Sequence, residues 1–232
     1  MSDNQVSKAE KSALYDKNTR ISLPGYDAMF SIIQSYFRMQ LDGRDASLLV
    51  VGAGTGNELA AWGPSNPGWT FAGVDPSEEM IGLAQYKAEQ LNLTDRVKLF
   101  HGTVEDLPLE EAKFDAASCL LVLHFVQDMD EKLELLRNVK ARLKPGAPFA
   151  VVCGCGESDS GEMQTKLNIW KSFRLDNGIP KSKVDELDER IKDLSLLTEE
   201  EIKSQLTEAG FTHPTRFFSS AIMTGWICHA EQ

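Results

Sequence analysis

The sequence predicts a three-layer α/β/α sandwich on a seven-stranded, mostly parallel sheet whose last strand runs antiparallel, with a helical cap after the fifth strand. Three features carry that expectation. Short apolar runs alternate with segments of helical period between residues 48 and 153. A glycine-rich turn holding Gly52, Gly54 and Gly56 joins the first run to a helix. An acidic residue, Asp75, ends the second run about 20 residues further on.

In chain order, the first dozen residues are polar and read as a frayed end. Residues 24–40 place Met29, Ile32, Ile33, Tyr36 and Phe37 at helical spacing and predict an amphipathic helix. Residues 48–51 are apolar throughout, as a strand buried on both faces requires. Residues 69–74 form the second strand, and Asp75-Pro76-Ser77 stops it. Ser77 is placed to cap the next helix, with Glu78 and Glu79 in its first turn and Met80, Ile81, Ala84 and Leu91 keeping its apolar period.

Further strands are expected at 96–100 and 114–121, then a helix at 128–143 that Lys144-Pro145-Gly146 ends, then a fifth strand at 148–153. Residues 154–197 are charged and helical in character, and read as the cap. Thr198 and Glu201 form a capping-box pattern at the head of a helix that Gly210 stops. Two short runs at 215–219 and 223–230 are close enough to pair antiparallel. A single domain results: an N-terminal helical segment (1–45), a core (46–153), the cap (154–197) and a C-terminal helix with a strand pair (198–232).

Composition narrows the function classes. The chain has 232 residues, 42% of them hydrophobic, enough for one core without disulfides. A formal charge of -11 repels phosphate backbones, so no nucleic-acid partner is expected. Four cysteines form no disulfide framework, and Cys119 and Cys228 lie in apolar runs, as reduced thiols of a cytoplasmic protein do. No apolar stretch reaches membrane-spanning length, and the polar start lacks a signal segment. A monomer or a homodimer is expected.

The stretch Val51-Gly52-Ala53-Gly54-Thr55-Gly56-Asn57 sits at the carboxyl edge of the first strand, where open α/β sheets bind ligands. Glycines there let a ligand approach the main chain. The dinucleotide fingerprint G-x-G-x-x-G would need glycine where Asn57 stands, and Gly56 comes one residue early. Asp75 lies at the distance where a carboxylate accepts from both ribose hydroxyls; the competing role is that of a helix-start residue.

The G-x-G-x-G pattern resembles motif I of the Rossmann-like class I methyltransferases, which cradles S-adenosylmethionine (SAM). Residues 100–108, Phe-His-Gly-Thr-Val-Glu-Asp-Leu-Pro, resemble the adenine-flanking segment of that family, and residues 114–125 resemble its strand-four motif. The resemblance implies SAM as cofactor, with Gly52, Ala53, Gly54, Gly56, Asp75, Pro76, Met80, Thr103, Val104, Glu105, Cys119 and Leu120 around it. Thr103 stands where many relatives carry aspartate, which makes Val104 the safer adenine contact. Pro24-Gly25-Tyr26, residues 166–178, Glu189-Arg190, Leu197-Thr198 and Ala209-Gly210-Phe211 are similar to the carboxy-S-adenosylmethionine synthases, whose cap holds a carboxylate with an arginine. Arg190 is the nearest counterpart, whereas the Gly-Thr-Gly loop is that of an ordinary methyltransferase.

For the acceptor pocket, Tyr15 and Tyr26 close over the cofactor or simply pack. Arg174 and Arg190 face the site or solvent, Arg190 having Asp185, Glu186, Asp188 and Glu189 as candidate salt-bridge partners. His124 is the candidate catalytic base, against packing beside Phe125; His101, His213 and His229 read as structural. Cys153 and Cys155 form C-x-C without a second pair, so no metal is expected. Three functions follow: methyl transfer to a small molecule, a carboxy-SAM synthase-like activity, or SAM binding without turnover.

Overall fold

The computed structural model describes residues 7–107 and 113–232. Residues 1–6 of the expected frayed end, and Pro108 of the adenine-flanking segment, lie outside the described residues.

Seven strands make one sheet: β1 (Ala46–Val51), β2 (Trp69–Asp75), β3 (Val97–His101), β4 (Ala116–Leu120), β5 (Pro148–Gly154), β6 (Phe211–Ser220) and β7 (Met223–Ala230). Their order is β3-β2-β1-β4-β5-β7-β6. The first five are mutually parallel, and β7 lies antiparallel between β5 and β6. The order reverses at β1, so the crevice beyond the carboxyl ends of β1 and β4 is the topological switch point.

Alternation along β1 builds both core layers. Leu48 and Val50 face a cluster with Met29, Phe30, Ile33 and Phe37 of helix α2 (Tyr26–Leu41) and Leu59 and Trp62 of α3 (Asn57–Trp62). Leu49 and Val51 face the opposite cluster, with Leu133, Leu136 and Val139 of α5 (Met129–Ala141) and Ile202 and Leu206 of α9 (Glu199–Glu208). Ser77 caps α4 (Glu78–Gln90) by accepting from the Met80 N–H. Thr198 and Glu201 make the full reciprocal capping box of α9. Between β5 and α9 lie the cap helices α6 (Gly161–Asp176), α7 (Lys181–Asp185) and α8 (Leu187–Lys192).

The N-terminal expectation is corrected. Of the dozen residues expected to fray, residues 8–12 instead open α1 (Lys8–Ser22), which starts with a capping box between Ser7 and Glu10. The next helix begins at Tyr26 rather than at Pro24, because Gly25 turns the chain at φ +74°. β6 is longer than predicted; register shifts between Thr212 and Thr215 and between Arg216 and Phe218 break its alternation.

Candidate functional site

β1 delivers the chain into the glycine turn, where Gly52, Gly54 and Gly56 take φ of +69°, +50° and +80°. The turn is pinned to β2, since the N–H groups of Gly52 and Ala53 both donate to the Val74 carbonyl at 2.9 Å. At Gly52 a Cβ would stand 2.2 Å from Val122 Cγ2, so only glycine fits. At Gly54 the nearest atom to such a Cβ is the Gly52 carbonyl at 3.9 Å, which leaves that surface of the turn open to a ligand.

Asp75, buried at the end of β2, locks this turn from the other side. Its Oδ2 accepts from the Gly54 N–H at 2.8 Å and its Oδ1 from the Ser77 N–H at 2.9 Å. The carboxylate thus joins the glycine turn to the head of α4, and each oxygen keeps a lone pair for a further donor. It fills the helix-start role and stays equipped to accept from a ribose diol. Pro76 is exposed beside it, its carbonyl paired with His101 Nε2 at 3.0 Å, and Met80 is half-buried on α4.

On the β3 side, Thr103 N–H and hydroxyl both donate to Asp106 Oδ2, at 2.7 and 3.0 Å. Its polar atoms are engaged locally, while Val104 is buried beside it and Glu105 is exposed. The Glu105 carbonyl accepts from Arg142, which ties this turn to the end of α5. Cys119 and Leu120 are buried at the end of β4, with Cys119 opposite Val51 in register. Burial pushes the Cys119 thiol up to about 12, with the Glu58 charge adding to it, so it is no nucleophile at neutral pH. Leu121 follows at φ +61°, a conformation that costs a leucine about 1 kcal/mol and that no sequence signal announced.

His124 is placed as a strut. It is 3% exposed, and its Nδ1 accepts from the Gly154 N–H at 3.0 Å. Its proton then sits on Nε2, so the neutral ring has no free lone pair, which corrects the expectation of a base. Burial, then Lys132, depress its pKa to about 4. Because the folded value lies below that of the unfolded chain, stability is complete above pH ~6.5 and falls as pH drops toward ~4, by about 3 kcal/mol in all. Urea titrations at pH 7 and pH 5 should show about 2 kcal/mol of that loss, and His124→Gln, which keeps an acceptor for Gly154, should flatten it.

A polar network ties α1 to the glycine turn. Lys87 Nζ donates to both Asp16 carboxylate oxygens at 2.8 and 2.9 Å and to Asn57 Oδ1 at 2.6 Å. The Thr55 hydroxyl donates to Asp16 at 3.3 Å, and Asn57 Nδ2 donates to the Tyr26 hydroxyl at 2.8 Å. Asn57, which breaks the dinucleotide fingerprint, is therefore the junction between α2 and α4. Tyr26 is buried, its hydroxyl held by Asn57. Tyr15 is partly exposed; burial raises the pKa of its phenol, and the charges of Asp75, Glu58 and Asp16 add to the effect.

The cap arginines divide. Arg174 is 7% exposed, lies 5.9 Å over the Trp170 ring and has an unpaired Nε. Arg190 is exposed, and the acids expected to pair with it go to Lys181, Lys183, Lys171 and Lys192 instead. Among the described residues no cluster of His, Cys, Asp or Glu is placed to hold a metal.

Sequence reasoning missed Glu58. It is 4% exposed on α3, one residue past Asn57, and feels the charge of Asp75. Burial pushes its carboxyl up to about 8, its own N–H and Lys87 opposing this and Asp75 adding to it.

Residues 49–149 match the methyltransferase domain family. The glycine turn, Asp75 and β4 all fall within this methyltransferase segment. The chain is 32% identical over 162 residues to the demethylmenaquinone methyltransferase of Lactiplantibacillus plantarum, covering 65% of each. It is 26% identical over 185 residues to the erythromycin 3''-O-methyltransferase of Saccharopolyspora erythraea, covering 78% of this chain and 55% of that one. The fold is shared with the magnesium protoporphyrin IX methyltransferase of Synechocystis, at a TM-score of 0.62, 15% identity and coverage of 99% and 90%. The chain spans between 30% and 65% of the length of the first curated relatives. The open face of Gly54 and the spare lone pairs of Asp75 fit an adenosyl ligand such as SAM.

Proposed function

We propose that this protein transfers a methyl group from SAM to a small-molecule acceptor bound beneath the cap, in the cytoplasm, as a monomer or homodimer. The observation that carries the reading is Asp75, whose carboxylate is fixed by the Gly54 and Ser77 N–H groups at the switch point of a methyltransferase domain. SAM supplies an electrophilic methyl already activated by the sulfonium charge. The residues of this chain bind, align and exclude water, which can supply roughly 7–11 kcal/mol. Gly52, Ala53, Gly54 and Gly56 present backbone to the cofactor, Asp75 receives its sugar, and Val104 packs on its base. Cys119 and Leu120 wall the reacting end, and Tyr15 covers it. The four cysteines, all unpaired and buried, support a reducing compartment. No described helix is long and apolar enough to cross a membrane.

A second reading rests on Arg174. Its buried guanidinium stands beside Arg190, whose charge works against it, and no carboxylate pairs with it among the described residues. That suits an anionic ligand beneath the cap, as a carboxy-SAM synthase-like enzyme would require.

The test is incubation of the purified protein with SAM bearing a trideuteriomethyl group and a cytoplasmic small-molecule extract, read by mass spectrometry. A labelled small product is expected. A cofactor heavier by a carboxylate would establish the second reading instead. An unchanged cofactor with no labelled product would leave a SAM-binding module without turnover.

A further inference from the structure

A cavity of about 570 Å³ lies on the α5 side of the sheet. Five positions on one face of three neighbouring strands floor it: Ser47 of β1, Thr70 and Ala72 of β2, and Lys98 and Phe100 of β3. Helix α5 covers this face over Leu49 and Val51 and ends at Ala141, on the cavity wall, while Thr70 and Lys98 stay exposed. A parallel sheet ordinarily has both faces covered, and a cavity of this size is that of a small-molecule site. The floor begins at Ser47, four residues or about 13 Å along β1 from Val51 and the glycine turn, so the cavity is not the acceptor pocket.

Its described lining carries four cations, Arg96, Lys98, Lys113 and Arg142, and one acid, Asp95, in a chain whose formal charge is -11. Both arginines spend their hydrogen bonds on uncharged oxygens. Arg96 donates to the carbonyls of Gly63, Asn66 and Trp69. Arg142 donates to the carbonyls of Asn138, Glu105 and Leu107 and to Asn138 Oδ1. Arg142 is 6% exposed, and its Nε has no partner. A guanidinium buried without a counter-ion favours an anion brought from outside. Beside this rim, Phe100 and Phe114 offer rings on which an aromatic body can stack.

We propose that this cavity is a second ligand site, for a small aromatic carboxylate. The ring packs on Ala72, Phe100 and Phe114, and the carboxylate meets the cationic rim of Lys98, Lys113 and Arg142. The site uses none of the crevice residues and is independent of the SAM reading.

Calorimetry with cinnamate tests this on the full chain, with S-adenosylhomocysteine present at saturation to fill the crevice. The native protein should bind one equivalent. Cinnamamide, which keeps the ring and lacks the charge, should bind roughly tenfold more weakly. Lys98→Glu puts an acid at an exposed strand position and should raise Kd for cinnamate roughly fivefold. Thr70→Trp fills the floor from another exposed position; it should abolish saturable cinnamate binding and leave the melting temperature and the Kd for S-adenosylhomocysteine unchanged. No saturable binding by the native protein, equal affinity for the amide, or binding that Lys98→Glu and Thr70→Trp leave untouched overturns the site. A native dimer that Thr70→Trp turns into a monomer also overturns it, because the face is then a contact between copies. A chain that ignores S-adenosylhomocysteine but binds cinnamate in the expected pattern overturns the SAM reading and supports this site.

Discussion

Asp75→Ala is expected to abolish measurable SAM binding at cofactor concentrations that saturate the native protein, with Kd rising at least roughly 100-fold. The substitution acts twice. It removes the acceptor for the ribose hydroxyls, and it releases the Gly54 and Ser77 N–H groups, held at 2.8 and 2.9 Å in the native crevice. Losing a charged acceptor costs about 1.5–3 kcal/mol for each bond made to it, and any donor left buried adds a desolvation penalty. The glycine turn would then lose its fixed shape as well as its ligand contact. Asp75→Asn separates the two effects: it keeps the bulk, but its amide must point a donor at the Gly54 or the Ser77 N–H. It should fall between the native protein and Asp75→Ala in both calorimetric affinity and melting temperature. Binding by Asp75→Ala within threefold of native would contradict the assignment.

Gly52→Ala should be the most damaging single methyl that can be added at the site. Its φ of +69° costs an alanine about 1 kcal/mol, and the new Cβ would sit 2.2 Å from Val122 Cγ2. Val122 is β-branched and opens the 3-10 turn Leu123–Phe125, which Lys132 holds by donating to the Leu123 and Val126 carbonyls. That turn can yield only by disturbing His124 and its bond to Gly154. Overpacking of this kind costs about 1–3 kcal/mol, giving a total of about 2–4 kcal/mol and loss of SAM binding. Gly161→Ala is the control, because a Cβ there meets nothing within 4 Å, and its denaturation midpoint should stay at or slightly above native.

The parallel sheet and the glycine turn were legible because both follow from strong local rules. β1 is apolar on both faces because two helical layers cover it, and Gly52 cannot carry a side chain. Helix α1 was hidden for a physical reason. Its only buried residue is Ser12, so it has no apolar stripe to detect. It docks through Lys11 with Glu79 and Asp16 with Lys87 instead, partners 68 and 71 residues away. The Ser7 and Glu10 pattern was the one local sign of it. Glu58 escaped for a related reason: an acid in the first turn of a helix is ordinary, and only the fold reveals that this one is buried. In the cap, sequence distance favoured Arg190, whereas burial singles out Arg174, one turn beyond Trp170 on the inward face of α6. His124 stood near the expected reacting end in sequence, but its acceptor nitrogen is already used by the Gly154 N–H.

The most direct test is a crystal structure of the chain with S-adenosylhomocysteine at saturating concentration. The adenosyl group should lie across the face of Gly54, with both ribose hydroxyls within hydrogen-bond distance of the Asp75 carboxylate and the base against Val104. Density for the ligand at any other place, or a crevice that stays unliganded at saturation, would contradict the assignment of this site to SAM.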